Sequence, residues 1–248
     1  MRHISETIKV LIVCNVIFFL GTLVSGEVIY RLFSLYYFDN PNFFLWQPVS
    51  HMFMHGGWMH LLFNMYALWA FGSPLEAQWG RNKFLFFYFS AGLGAALIHS
   101  LVNLYQVSSG IDALMALGMS ESEVWTLLND TLEPGSYRVI PELGSQAQTL
   151  FTAYNTPAVG ASGAIYGVLV AFGLLYPHVE LMLIFVPFPI KAKYFIPILI
   201  GLDLFSGLTG ASLFGQNIAN WAHIGGALFG FVMAYYWKKN SFNNKRWD

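Results

Sequence analysis

Long apolar runs dominate this chain and limit the folds that it can adopt. Of its 248 residues, 56% are hydrophobic and 10% are charged, whereas an ordinary soluble domain carries about 25% charged residues. So few charges cannot cover a water-facing surface. The composition therefore predicts an all-α polytopic membrane protein, with the whole chain, 1–248, forming one compact domain. The net charge of −1 gives no indication of nucleic-acid binding.

Six apolar runs have the length of a membrane-spanning helix, which needs about 20 mostly apolar residues. They lie near 8–25, 58–76, 83–104, 158–176, 193–209 and 218–237. The tract 181–190 is shorter and contains Pro187 and Pro189, so it is predicted to be a loop along the membrane surface. The first run could be a signal peptide, but no A-x-A cleavage site follows it, which favours a span.

Basic residues predict how this six-helix bundle lies in the membrane. With both termini in the cytoplasm, ten of the twelve Lys and Arg residues fall on the cytoplasmic side, and Arg31 and Arg138 fall outside. This distribution follows the positive-inside rule. Two long outer segments result, 26–57 and an acidic one at 105–157. Within the second, Ser120 and the glutamate three residues later have the spacing of a capping box, which predicts a short outer helix.

Four polar residues are predicted to meet at one depth in the bundle. His60 and Asn64 lie about two and six residues into the second span, Ser162 about four into the fourth, and His223 about five into the sixth. These three spans run in the same direction, so a rise of about 1.5 Å per residue puts all four residues roughly 3–10 Å below the outer surface. Polar groups inside a membrane are costly and are therefore functional candidates.

Small residues favour close contact between the fourth and sixth spans. Gly163 and Gly167 form one G-x-x-x-G pattern, and Gly226 and Gly230 form another. Such pairs let helix backbones approach closely. Ser162 taken alone would be interpreted as one more packing residue, but the predicted contact brings it within reach of a histidine.

A serine beside a histidine suggests nucleophilic chemistry, because histidine is the usual base for a serine hydroxyl. Acyl transfer also needs donors for the developing oxyanion, and Asn64, His60 and the backbone N–H of Ser162 are available. The three spans carry no Asp or Glu at this depth, so a Ser–His dyad is predicted rather than a triad. Asp203, in the fifth span, is not assigned to catalysis.

These residues, with others around them, resemble the motifs of the rhomboid intramembrane serine proteases, and the resemblance covers all six predicted spans. The motifs are G-x-S-G at 160–163 followed by Tyr166, the pair His60 and Asn64 preceded by His51 and His55, the series Ala222, His223, Gly226 and Gly230, and the G-x-x-x-E pattern from Gly72 to Glu76. Gln47 follows Trp46 where the family often has arginine, a departure expected to affect the outer loop and not the chemistry.

The resemblance implies cleavage of peptide bonds within or beside the transmembrane segments of membrane-protein substrates. Ser162 would be the nucleophile and His223 the general base, with His60 and Asn64 in the oxyanion hole. The supporting residues would be Gly160, Tyr166, which packs against His223, and Gly226. The family needs no metal or cofactor. The bilayer surrounds the protein, and a bacterial inner membrane is expected, with the site opening to the outer, periplasmic face.

Alternative interpretations remain open from the residues themselves. His51, His55 and His60 could form a metal site, although hydrogen bonds that hold the outer loop are favoured because no carboxylate ligand lies near them in sequence. A small transporter is disfavoured, because the chain lacks internal repeats and its polar cluster is shallow. A non-catalytic binder of membrane helices would use the same bundle. The sequence does not indicate the substrate or the oligomeric state.

Overall fold

The structure is a computed structural model that describes residues 4–129, 144–182, 188–211 and 219–240, and most of these residues are helical. The α-helices are α1 (Glu6–Ser25), α2 (Glu27–Phe33), α3 (Gln47–Ser50), α4 (Trp58–Ala67), α5 (Ser73–Trp79), α6 (Arg81–Ala116), α7 (Glu121–Asn129), α8 (Gly144–Asn155), α9 (Ser162–Leu175), α10 (Ala192–Thr209) and α11 (Asn220–Asn240). A 3₁₀-helix (His51–Phe53), a π-helix (Leu68–Gly72) and the strands β1 (Glu180–Leu181) and β2 (Ile190–Lys191) complete the described elements. The predicted helical fold class is confirmed.

Several helices have the character of membrane spans. By length and composition, α1, α6 and α10 could each cross a membrane, and α9 is a shorter apolar helix of 14 residues. Large apolar side chains are exposed along α1 and α10, for example Ile17 and Ile198. Such surfaces suit lipid and not water, so the chain is an integral, multi-pass membrane protein. The count of six spans and the cytoplasmic position of both termini stay predictions.

The second predicted span is a helical run whose pitch changes midway. The π-helix Leu68–Gly72 joins α4 to α5, and Pro74 lies in the first turn of α5. Proline has no N–H and its ring crowds the carbonyl one turn earlier, and a wider π turn at that point accommodates the ring. At the far end of the run, the buried Glu76 accepts a hydrogen bond from the Ser5 hydroxyl.

The centre of the bundle is α9, in which every residue from Gly163 to Phe172 is buried. It packs against α11 through glycines. A Cβ built on Gly226 would lie 1.8 Å from the carbonyl oxygen of Gly163, and one built on Gly230 would lie 2.4 Å from the Cα of Gly167. The close approach predicted from the two G-x-x-x-G patterns is therefore confirmed, and no side chain larger than hydrogen fits between the two backbones.

A second core, here called the outer cluster, lies in the segment predicted to be water-facing. Helix α6 continues to Ala116, about three turns beyond the predicted end of the third span. Its last turns pack with α7, α8 and the side chain of Tyr37. The capping box at the start of α7 is confirmed, because Glu123 Oε2 accepts a hydrogen bond from the Ser120 N–H at 2.7 Å. Glu133, Arg138 and Glu142, which make up part of the acidic segment, lie outside the described residues.

The short apolar tract at 181–190 begins and ends in paired backbone. Glu180 pairs with Lys191, and Leu181 with Ile190, in an antiparallel arrangement. The middle of the tract, 183–187, lies outside the described residues, so its predicted position along the membrane surface stays a prediction.

Gln47 forms several hydrogen bonds to the backbone of the outer loop. Its side chain is completely buried. The amide nitrogen donates to the Asn42 carbonyl at 2.7 Å and to the Arg31 carbonyl at 3.2 Å, and the amide oxygen accepts from the Tyr36 N–H at 3.2 Å. An amide can pair with both donors and acceptors of the loop and carries no charge. An arginine at this position would bury a positive charge.

Candidate active site

Ser162 is the first residue of α9, and not a residue one turn inside it as the predicted range 158–176 implied. The preceding chain is held in another conformation. Ala158 forms an antiparallel bridge with Leu35, and the Gly160 N–H donates to the His51 carbonyl at 2.9 Å. Gly160 also has a φ of +122°, which an L side chain rarely adopts. The first N–H groups of a helix lack intrahelical acceptors, so Ser162 stands at a terminus that attracts negative charge.

The structure brings Ser162 and His223 together. His223 lies one turn inside α11, and its Nε2 is 2.8 Å from the Ser162 Oγ. Both residues are partly exposed, with 12% of the His223 side chain accessible. The two predicted chemical partners are therefore within hydrogen-bonding distance, and neither is fully buried.

His60 approaches the same point from α4. A Cβ built on Gly160 would lie 2.8 Å from His60 Nε2 and 3.5 Å from Ser162 Oγ, so both atoms border the space that Gly160 leaves open. The Gly56 N–H points to His60 Nδ1 at 3.4 Å. Since Nδ1 accepts there, a neutral His60 carries its proton on Nε2, the nitrogen that faces the serine.

Asn64 lies one turn further along α4, on the same face as His60. Its side chain is buried, and among the described residues its Nδ2 has no hydrogen-bond partner. Buried amides are normally paired, so an unpaired one needs an explanation. A donor kept free for a transient acceptor would be such an explanation.

Tyr166 packs against His223, as the resemblance implied. The two rings stack with their centroids 4.2 Å apart and their planes 11° from parallel. Tyr166 and Ser162 are four residues apart in α9, so one rigid helix carries both the serine and the ring that supports the histidine.

Asp203, which the sequence analysis did not assign to catalysis, lies beside His223. Its Oδ1 lies 3.2 Å from His223 Nδ1, and its Oδ2 accepts a hydrogen bond from the Tyr166 hydroxyl. The prediction compared depths only among spans that run in the same direction. Asp203 lies six residues before the end of α10 at Thr209, and the same depth count taken from that end, about 9 Å, would have placed it beside the histidine.

His51 and His55 contact backbone in the outer loop. His51 Nδ1 is 3.0 Å from the Gln47 carbonyl, and His55 Nδ1 is 3.3 Å from the Phe53 carbonyl. Burial lowers the pKa of each imidazole to about 4, because the charged form loses its hydration. These contacts agree with the favoured interpretation, in which the two histidines hold the loop.

Acid should destabilise this loop through His51. Its pKa is 6.5 when unfolded and about 4 when folded, so the unfolded state binds more protons between these values. The contribution of His51 to the free energy of unfolding is therefore fully present above about pH 7 and is lost as the pH falls toward 4. At pH 5 the loss from His51 alone is about 2 kcal/mol. Thermal unfolding in detergent at pH 7 and pH 5 measures this. His51→Gln should reduce the loss, whereas His178→Gln, at an exposed position, should not. Equal losses in all three proteins would contradict the assignment.

The fold and the site together define a helical, multi-pass membrane protein with a serine and a histidine in contact between two of its central helices. A family model described as the Rhomboid domain matches residues 42–127 and 136–240, well over half of the chain. The chain therefore belongs to the rhomboid family.

Curated relatives agree with this family. A mitochondrial rhomboid protein of Schizosaccharomyces pombe, described as uncharacterized, is 30% identical over an alignment of 217 positions that covers 79% of this chain and 52% of that protein. Rhomboid protease AarA of Providencia stuartii is 28% identical, over 76% of this chain and 54% of its own. Rhomboid protease GluP of Bacillus subtilis is 28% identical, over 76% of this chain and 25% of its own. The chain thus spans about half the length, or less, of these relatives. Because they include both bacterial and mitochondrial proteins, the bacterial type and inner membrane stay predictions.

Proposed function

We propose that this protein is an intramembrane serine endopeptidase that cleaves membrane-protein substrates within or beside their transmembrane segments. The observation that carries the proposal is the 2.8 Å contact between Ser162 Oγ and His223 Nε2, at the partly exposed start of α9. Relatives named rhomboid proteases support the same activity.

The reaction would follow the usual course of serine acyl transfer. His223 Nε2 takes the Ser162 hydroxyl proton while Oγ bonds to the scissile carbonyl carbon, whose oxygen becomes negative. As the carbon–nitrogen bond breaks, the imidazolium returns its proton to the leaving amine, and an ester on Ser162 remains. Water, deprotonated by His223, then attacks the ester. As the ester bond breaks, the imidazolium returns this proton to Ser162 Oγ, which restores the serine and releases the new carboxylic acid.

The negative oxygen of the intermediate would be bound by the donors predicted for the oxyanion hole. His60 offers Nε2–H, Asn64 offers its unpaired Nδ2, and the backbone N–H of Ser162 stands at the helix terminus. Donors that are fixed before the reaction need not reorganise, and each is typically worth about 10²–10³-fold in rate. Gly160 keeps this space open, because any Cβ there would collide with the His60 ring.

Substrates are proposed to be single-span or other membrane proteins that reach the site from the bilayer. Helices α4 and α10 both expose apolar surface, with Leu62 and Leu204 among the exposed side chains. Each of these helices also carries a residue at the site, His60 on α4 and Asp203 on α10. The predicted orientation opens the site to the outer face, from which water would enter.

A serine-directed probe tests this proposal without knowledge of the substrate. A fluorophosphonate should bond to the Ser162 Oγ with release of fluoride, and mass spectrometry of the purified protein should locate the adduct on that residue. Labelling should be lost in Ser162→Ala and retained in Ser100→Ala, which changes a half-buried serine of α6. Equal labelling of all three proteins, or none of the wild type, would favour the non-catalytic binder.

A further inference from the structure

A buried carboxylate lies directly behind the Ser162–His223 pair. The Asp203 side chain, within α10, is 6% exposed. Burying a carboxylate is costly unless it is paired and hydrogen-bonded. Both of its oxygens are occupied, Oδ1 by His223 Nδ1 at 3.2 Å and Oδ2 by the Tyr166 hydroxyl. The carboxylate thus joins three helices, α9, α10 and α11, at the histidine.

We propose that Asp203 is a positioning residue that holds His223 in the tautomer and orientation needed to deprotonate Ser162. This inference rests on the proposed protease function and adds a third member to the predicted dyad. Asp203 does not reach the reacting atoms and acts entirely through the imidazole.

The tautomer follows from the hydrogen-bonding capacity of each group. An ionised carboxylate can only accept, so His223 Nδ1 must be the donor in its contact with Asp203. A neutral imidazole then has its lone pair on Nε2, which faces the Ser162 hydroxyl at 2.8 Å. The opposite tautomer would present an N–H to the serine and could not take its proton.

Tyr166 completes the support from a second direction. Its ring lies 4.2 Å from the His223 ring and almost parallel to it, which restricts tilting of the imidazole plane. Its hydroxyl donates to Asp203, which holds the carboxylate beside the ring edge. The face and the edge of the histidine are therefore fixed by two residues that contact each other.

Charge supplies the second reason for a carboxylate at this position. When His223 takes the serine proton it becomes an imidazolium inside the bundle. Among the described residues, two histidines also interact with it electrostatically, His60 on α4 and His99 on α6, and neither can stabilise a positive charge. Asp203 can stabilise it, because its Oδ1 lies 3.2 Å from His223 Nδ1 and opposite charges attract most strongly at short distance.

Replacing Asp203 with Asn tests the inference, because the amide keeps the size of the side chain and removes its charge. We expect kcat for a single-span substrate to fall roughly 100-fold or more, with KM changed less than about twofold. The acid limb of the pH–rate profile should also move to lower pH, since the imidazolium loses its stabilising partner. Asp112→Asn, at an exposed position of α6, is the matched control and should change neither quantity.

Two further variants separate positioning from a packing role. Tyr166→Phe keeps the stacked ring and removes the hydroxyl, so it should lower kcat about tenfold or less and leave the melting temperature within about 2 °C of wild type. Asp203→Glu restores the charge and should return the acid limb toward its wild-type position, even if kcat stays low.

The outcomes distinguish this inference from the proposed function. If Ser162→Ala is inactive while Asp203→Asn keeps the wild-type rate and pH profile, the positioning role is wrong and the protease remains. A rate loss that is equal at every pH, accompanied by a lower melting temperature, assigns Asp203 to packing and also overturns the inference. If Ser162→Ala still cleaves substrate, the proposed function itself fails.

Discussion

Cleavage of a single-span substrate is expected to fall to the detection limit, at least about 10³-fold, when either Ser162 or His223 is replaced by alanine. The reason is that the two side chains form one reacting unit, with Oγ and Nε2 2.8 Å apart. A serine without its base is a weak nucleophile, and a base without the serine has nothing to activate. The measurement is the rate of product formation in detergent or liposomes, by gel or fluorescence, at saturating substrate.

The double variant makes this prediction sharper. Residues that act as a unit are strongly non-additive, so Ser162→Ala combined with His223→Ala should be no slower than either single change. The matched controls are Ser100→Ala in α6 and His178→Ala in the turn before β1, and both should cleave at the wild-type rate. Cleavage that persists in both single variants would contradict the proposed pair, as would rate losses that multiply in the double variant.

Gly226→Ala is expected to damage both stability and activity, although it adds one methyl group. The new Cβ would lie 1.8 Å from the Gly163 carbonyl oxygen and 2.6 Å from its carbonyl carbon. Both atoms are backbone and cannot rotate away, so α11 must move from α9. Overpacking of this kind costs about 1–3 kcal/mol or more.

The same movement should separate the reacting atoms. Gly226 follows His223 by one turn and Gly163 follows Ser162 directly, so a shift of about 1 Å between the helices reaches the Ser–His contact. Misplacement by that amount can cost about 10²-fold in rate. Melting temperature and probe-labelling rate should both fall. Gly201→Ala, in α10 with open space around the glycine, should leave the rate unchanged and stability equal or slightly higher. A Gly226→Ala protein with wild-type behaviour would contradict the described contact.

Much of the site could be predicted because the number of residues from the end of an apolar run gives the depth of a residue in the membrane. His60, Ser162 and His223 belong to apolar runs predicted to have the same direction, so residue counts place them at one level. The glycine pairs at 163 and 167 and at 226 and 230 predict the close contact for a separate, steric reason. The structure brings these residues together, and their catalytic roles remain proposals.

Asp203 was missed because the depth comparison covered three spans of one direction. A charge in an apolar run was noticed, but its partners lie on two other helices and 20 and 37 residues away in sequence. Nothing local to Asp203 indicates them. A count from the outer end of every span, in both directions, would have paired it with the histidine.

Helix boundaries were predicted less well, for reasons that hydropathy does not capture. Helix α9 begins at Ser162 and not near 158, because Gly160 and Ala158 are tied to the outer loop by backbone hydrogen bonds from distant residues. Helix α6 continues past 104 to Ala116 because its outer turns pack on α7 and α8. Both differences arise from tertiary contacts, which override the local apolar pattern.

The outer cluster gives Ser162 a second attachment, separate from its contacts with the helix bundle. Asn40 donates to the Tyr154 carbonyl at 2.8 Å, and the Tyr154 hydroxyl is 2.6 Å from Asn129 Oδ1. From Tyr154 a short covalent link leads through Ala158 and Gly160 to Ser162. Ser162 is thus connected to this second core, which is predicted to lie outside the membrane, as well as to the bundle. Urea, which acts from the aqueous phase, should therefore slow the reaction at concentrations that leave the membrane helices intact.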